Sequence, residues 1–121
     1  MEVLRIDHIQ LAMPKGREEE ARRFYHDLLG IPEMPKPPQL AARGVWFERG
    51  DLKARLGVDK QFVPARKAHP GFLVADLPAL IAKLRGAGIV VNIDEPLESC
   101  RRVYVDDPFG NRLKFLEPVP A

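Results

Sequence analysis

Much of what this sequence could do is excluded by what it holds little of. Its one cysteine, Cys100, leaves no intrachain disulfide framework and no cysteine-rich zinc site. The 19 basic residues are offset by 17 acidic ones, for a net charge of +2, and none of them cluster into a basic block. Nucleic-acid binding therefore finds no electrostatic footprint. No apolar run is long enough to span a bilayer, and the opening MEVLRIDHIQL lacks the core of a secretory leader. The phosphate-loop and dinucleotide glycine fingerprints are missing as well. These absences describe a cytoplasmic protein with no membrane or nucleic-acid partner. At 121 residues, 45% hydrophobic and 30% charged, the chain has the makeup of one compact domain.

What is present reads as the same order of elements twice. VLRIDHIQLAM alternates like a strand and stops at Pro14. GREEEARRFYHDLLG has acids in its first turn, an apolar stripe around Phe24 and Leu28, and Gly30 at its exit, so it reads as a helix. PEMPKPPQL, with four prolines in nine residues, reads as a loop. GVWFERG and DLKARLGV follow as two strands joined around Arg49–Gly50. The second half opens with KAHPGFLVA as a strand. Asp76 then caps a helix over LPALIAKLRGAG, and GIVVNI, RRVYVDD and NRLKFLE complete it as strands. His8 and His69 stand at equivalent strand starts, 61 residues apart. The expectation is an α+β chain of two βαβββ modules, about 3–60 and 65–118, within a single domain spanning 1–121. Their sheets form a cup with the helices outside.

Period-two alternation sorts the strand residues into two faces. His8, Gln10, Lys53, Arg55, His69, Arg102, Tyr104, Arg112 and Lys114 share one parity. Ile9, Leu11, Phe72, Val74, Val103, Val105, Leu113 and Phe115 share the other. The first set is polar and basic, which suits a pocket for a small anion gripped by arginine and lysine. It also suits a solvated sheet face. Trp46 and Phe47 must point to opposite sides; the expectation puts Phe47 in the core and Trp46 with Glu48 near the pocket.

Three stretches carry a family likeness: DHIQLAM…FYHDLLGI, AHPGFLVADLPALIAKLRGAGI and VYVDDPFGNRLKFLE. Together they resemble the glyoxalase, fosfomycin-resistance and extradiol-dioxygenase proteins, the vicinal oxygen chelate superfamily, over roughly residues 3–118. The resemblance implies a cupped sheet of paired βαβββ modules that holds a divalent metal. Its two histidine ligands would fall on His8 and His69, and its carboxylate ligands on Arg55 and Lys114. It also implies a homodimer in which His8 and Arg55 of one subunit face His69 and Lys114 of the other, although the modules can equally pair within one chain.

Cations at both carboxylate positions oppose a divalent ion, whose affinity at nitrogen and oxygen sites comes chiefly from anionic ligands. The reading is thus a degenerate metal site with no cofactor, binding a small anionic molecule through Arg55, Lys114, Arg102, Arg112, Trp46 and Gln10. His8, His69 and Tyr104 are the candidates for acid–base chemistry, with turnover left open. The alternative is a lyase or dioxygenase dependent on iron, manganese, nickel or zinc held by His8, His69 and Glu48. Cys100, between Ser99 and Arg101, is read as an incidental thiol.

Overall fold

The computed structural model describes residues 1–37, 39–40, 43–95 and 100–119, in two units, Met1–Val63 and Pro64–Ala121. In the first unit, strand β1 (Ile9–Met13) leads to helix α1 (Glu18–Ala21), which continues as a π-helix over Arg22–Leu28. Strands β2 (Glu33–Met34), β3 (Val45–Arg49) and β4 (Leu52–Val58) follow, and the sheet order is β1-β4-β3-β2. β1 runs parallel to β4, and the other pairs are antiparallel. The second unit repeats this plan: β5 (Gly71–Leu73), α2 (Leu77–Gly86), β6 (Asn92–Ile93), β7 (Cys100–Asp106) and β8 (Arg112–Pro118), ordered β5-β8-β7-β6. Each unit is a βαβββ module with a four-stranded mixed sheet. Among the described residues no helix is long and apolar enough to cross a membrane.

One face of each sheet carries the core. Val45, Phe47, Ala54 and Leu56 are buried in the first unit with Ala21, Phe24 and Tyr25 from the helix. Tyr25 stacks on Phe47 with ring centroids 5.4 Å apart. Removing Phe47 alone from water contributes about 1.5–3 kcal/mol. In the second unit Val103, Val105, Leu113 and Phe115 are buried, with Phe72 stacked on Phe115 at 5.6 Å.

The helix of the first unit departs from the expected regular form. Leu29 N–H bonds back five residues to the Phe24 carbonyl at 3.0 Å. That wider turn accompanies the burial of two consecutive aromatics, Phe24 and Tyr25. The ends of the strands also differ from expectation. β1 begins at Ile9 rather than near Val3, and Val3, Leu4 and Ile6 are exposed. GIVVNI narrows to Asn92–Ile93, and KAHPGFLVA to Gly71–Leu73. The proline-rich stretch read as loop contains β2, because Glu33 and Met34 precede most of its prolines and pair with Phe47 and Trp46.

Two local devices hold the second unit. Asp107 Oδ1 accepts from the Phe109 and Asn111 N–H groups at 2.9 and 2.8 Å, and Asn111 Nδ2 donates to Asp107 Oδ2 at 2.9 Å. Gly110 takes φ +91° inside that turn, a conformation only glycine adopts freely. Asp76 caps α2 by accepting from Ala79 N–H at 3.1 Å. The DPFGN motif is therefore explained by the turn it builds.

Candidate functional site

Strand register lines up the polar residues in rungs. In the first unit Gln10, Arg55, Trp46 and Met34 stand side by side across β1, β4, β3 and β2. In the second, Gly71, Lys114, Tyr104 and Asn92 do so across β5, β8, β7 and β6. Each module thus sets a cation on its fourth strand directly opposite an aromatic ring on its third.

In the first unit the Arg55 guanidinium carbon lies 3.8 Å from the centroid of the Trp46 ring. That is close contact for a cation–π stack. Arg55 Nη2 is 3.6 Å from Glu48 Oε1, and its Nε is buried with no hydrogen-bond partner among the described residues. Glu48 shares a strand face with Trp46, two residues away, which is why one guanidinium reaches both. At the strand's start, His8 Nδ1 is 3.0 Å from Asp7 Oδ2, and Lys53 Nζ is 3.4 Å from Asp7 Oδ1. The hydrogen bond with His8, and then the charge of Lys53, hold the Asp7 carboxyl below the usual carboxylate range.

The second unit gathers different groups. Lys114 Nζ lies 5.1 Å from the Tyr104 ring centroid, and the Arg112 guanidinium carbon lies 5.3 Å from it. His69 packs edge-on against the same ring, with centroids 5.5 Å apart. His69 Nδ1 sits 2.8 Å from the Lys67 carbonyl oxygen. A carbonyl only accepts, so Nδ1 donates and the neutral ring keeps its lone pair on Nε2. Among the described residues neither Lys114 nor Arg112 has a carboxylate partner within ion-pair distance.

Arg102 is engaged elsewhere. Its Nη1 is 3.2 Å from Asp94 Oδ2, and its Nη2 donates to the Glu95 carbonyl at 2.8 Å. Sequence reasoning missed the partners of three carboxylates: Asp7 with His8 and Lys53, Asp94 with Arg102, and Glu117 with the start of α2. Glu117 accepts from Leu77 N–H at 3.1 Å and so holds the start of α2. Strand alternation would turn Asp7 to the face opposite His8, but it precedes β1, where no pleat governs its direction. Cys100 is buried at the start of β7.

The donor set can be tested against a divalent metal. Arg55 and Lys114 are cations, Glu48 lies with Arg55, and His8 lies against Asp7. Among the described residues no three His, Cys, Asp or Glu side chains come together. Within each unit the fourth strand presents a cation, Arg55 in the first and Lys114 in the second, and either would repel a dication set beside it by several kcal/mol even at an effective dielectric of about 20. These residues do not fit a divalent ion.

No protein-family model matches this sequence, and no curated protein matches it. Solved structures do. A protein assigned to the glyoxalase family from Bacillus anthracis is 42% identical, with 98% of each chain covered and a TM-score of 0.92. A glyoxalase/dioxygenase from Nostoc punctiforme is 18% identical over 99% of each chain, with a TM-score of 0.79. TnmS3, an antibiotic-binding protein from Streptomyces sp. CB03234, is 20% identical over 98% of this chain and 99% of its own, with a TM-score of 0.76. The last two share the fold.

Proposed function

The chain belongs to the glyoxalase family, and from that premise we propose that it binds a small anionic molecule, with Lys114 and Arg112 as the primary contacts and no resident metal. The observation that carries this reading is an imbalance of charge. Arg55 and Arg102 each have a carboxylate within 3.6 Å, whereas Lys114 and Arg112 flank Tyr104 without one among the described residues. Two cations without counter-ions beside a half-buried ring make an attractive position for a carboxylate or phosphate. Arg112 contributes a planar fork, and Lys114 a point charge.

His69 and Tyr104 complete the group. The Nε2 lone pair of His69 can take a proton from a bound molecule, and the Tyr104 hydroxyl can donate one hydrogen bond to it. Arg55, already held by Trp46 and Glu48 within the first unit, is not the anion's grip in this reading. The antibiotic-binding neighbour is one instance of this fold used for binding. The reading also includes a homodimer, which would cover the edge strands each sheet leaves open.

The experiment is a thermal-shift screen of small carboxylates, phosphate and aromatic acids, run with EDTA and then with added divalent metals. Stabilisation by at least one anion that EDTA leaves unchanged supports the reading. Stabilisation that appears only with a metal present would overturn it.

A further inference from the structure

A hollow of about 670 Å³ opens in the first unit where β1 and β4 end side by side. Gln10, Ala12, Gly57, Asp59, Lys60 and Gln61 are among its lining residues. Register explains why it exists. Ala12 stands beside Gly57, and the matching pair in the second unit is Leu73 beside Leu116. Two small residues stand in one module where two leucines stand in the other.

The Gln10 side chain lies over Gly57. A Cβ added at residue 57 would come 2.6 Å from Gln10 Nε2, so the carboxamide rests where that Cβ would stand. The second unit repeats this contact with the partners exchanged. There Gly71 is the glycine, and the Leu116 side chain comes within 3.3 Å of its added Cβ. Packing over the glycine is thus satisfied by an aliphatic group in one module and a carboxamide in the other. The amide at Gln10 is not required by the fold.

Its chemistry suits a ligand with an amide edge. Among the described residues the carboxamides of Gln10 and Gln61 have no hydrogen-bond partner, while Asp59 Oδ1 accepts from Gln61 N–H and fixes that residue's backbone. Asp59 and Lys60 are neighbours of opposite charge, so the lining is neutral in sum. A carboxamide presents a donor beside an acceptor, the complement of a cis-amide edge, and pairs with it through two parallel hydrogen bonds. We propose that the Gln10–Gly57 hollow is a second binding site, taking a neutral cyclic amide or imide such as a pyrimidine base through Gln10 and Gln61. This goes beyond the anion reading and stands or falls without it.

The test is NMR of the whole chain, following the side-chain amide signals of Gln10 and Gln61 during titration with uracil. 1,3-Dimethyluracil, which lacks the N–H donors, is the control. Uracil is expected to shift both signals with a millimolar midpoint, and dimethyluracil to leave them in place. Gln10→Leu should weaken uracil binding about tenfold or more, since one paired amide is lost. Gly57→Ala, which keeps the amide but pushes it aside, should do the same while the backbone spectrum stays folded. Absence of any shift overturns the proposal. So does an equal response to dimethyluracil, or undiminished binding by Gln10→Leu.

Discussion

Arg55 lies flat on Trp46, its guanidinium carbon 3.8 Å from the ring centroid, because the β3–β4 hairpin places the two residues directly opposite each other. Trp46 is the chain's one tryptophan, so the tryptophan emission reports on the surroundings of this ring. Arg55→Ala should shift the Trp46 emission to longer wavelength as water reaches the uncovered ring. It should also cost about 1–2 kcal/mol of stability in urea, the range for a partly desolvated cation–π pair. An unchanged spectrum would mean that the stack does not persist in solution.

The turn at Asp107 should be the most sensitive polar site in the second unit. Asp107→Ala leaves two buried N–H groups and the Asn111 amide without their acceptor. Each lost hydrogen bond to a charged group is worth about 1.5–3 kcal/mol, so a loss on the order of 3 kcal/mol or more is expected in chemical denaturation. Asp107→Asn should lose less, since one oxygen still accepts.

Glu117 and Asp76 both act on the start of α2, through Leu77 and Ala79. Substituting either by alanine should destabilise by about 1 kcal/mol, measured in urea. Neither should weaken anion binding, because the account makes both structural.

The Asp7 carboxyl should titrate below its ordinary value of about 3.9, with the His8 hydrogen bond the largest single cause and Lys53 acting through both its charge and its hydrogen bond. A carboxyl depressed in the folded state adds stability above its unfolded pKa and loses that contribution as pH falls through the folded value. NMR of the carboxyl carbon reads the midpoint directly. His8→Ala and Lys53→Ala should each raise it, and an ordinary midpoint in the native chain would dismiss the cluster.

How much of this was legible beforehand depends on whether a feature is local. Asp76 as N-cap, the DPFG turn and the hairpin around Arg49–Gly50 each follow from a few adjacent residues, and each is where the sequence places it. Phe47 in the core, with Trp46 and Glu48 on the other face, follows from strand alternation once the hairpin is recognised. The π-helix was not legible. Whether Phe24 and Tyr25 both turn inward is decided by the sheet they pack on, not by their own spacing.

The sites divide in the same way. Alternation grouped Tyr104, Lys114 and Arg112 on one face because they lie on two adjoining strands. It could not show that Asp94 would claim Arg102, since that depends on how β6 meets β7. The Gln10–Gly57 contact joins residues on β1 and β4, and only the parallel register of those strands brings them together. No local pattern encodes that register.

The central claim is that Lys114 and Arg112 of the second unit, rather than Arg55, grip the anion. Thermal unfolding of the native chain, Lys114→Ala, Arg112→Ala and Arg55→Ala during titration with the best anion from the screen tests it most directly. At about a hundred times its dissociation constant a ligand adds about 2.7 kcal/mol, several degrees for a chain of this size. The account predicts that this rise disappears in Lys114→Ala and Arg112→Ala and survives in Arg55→Ala. A rise that persists in the first two variants and vanishes in Arg55→Ala would contradict it.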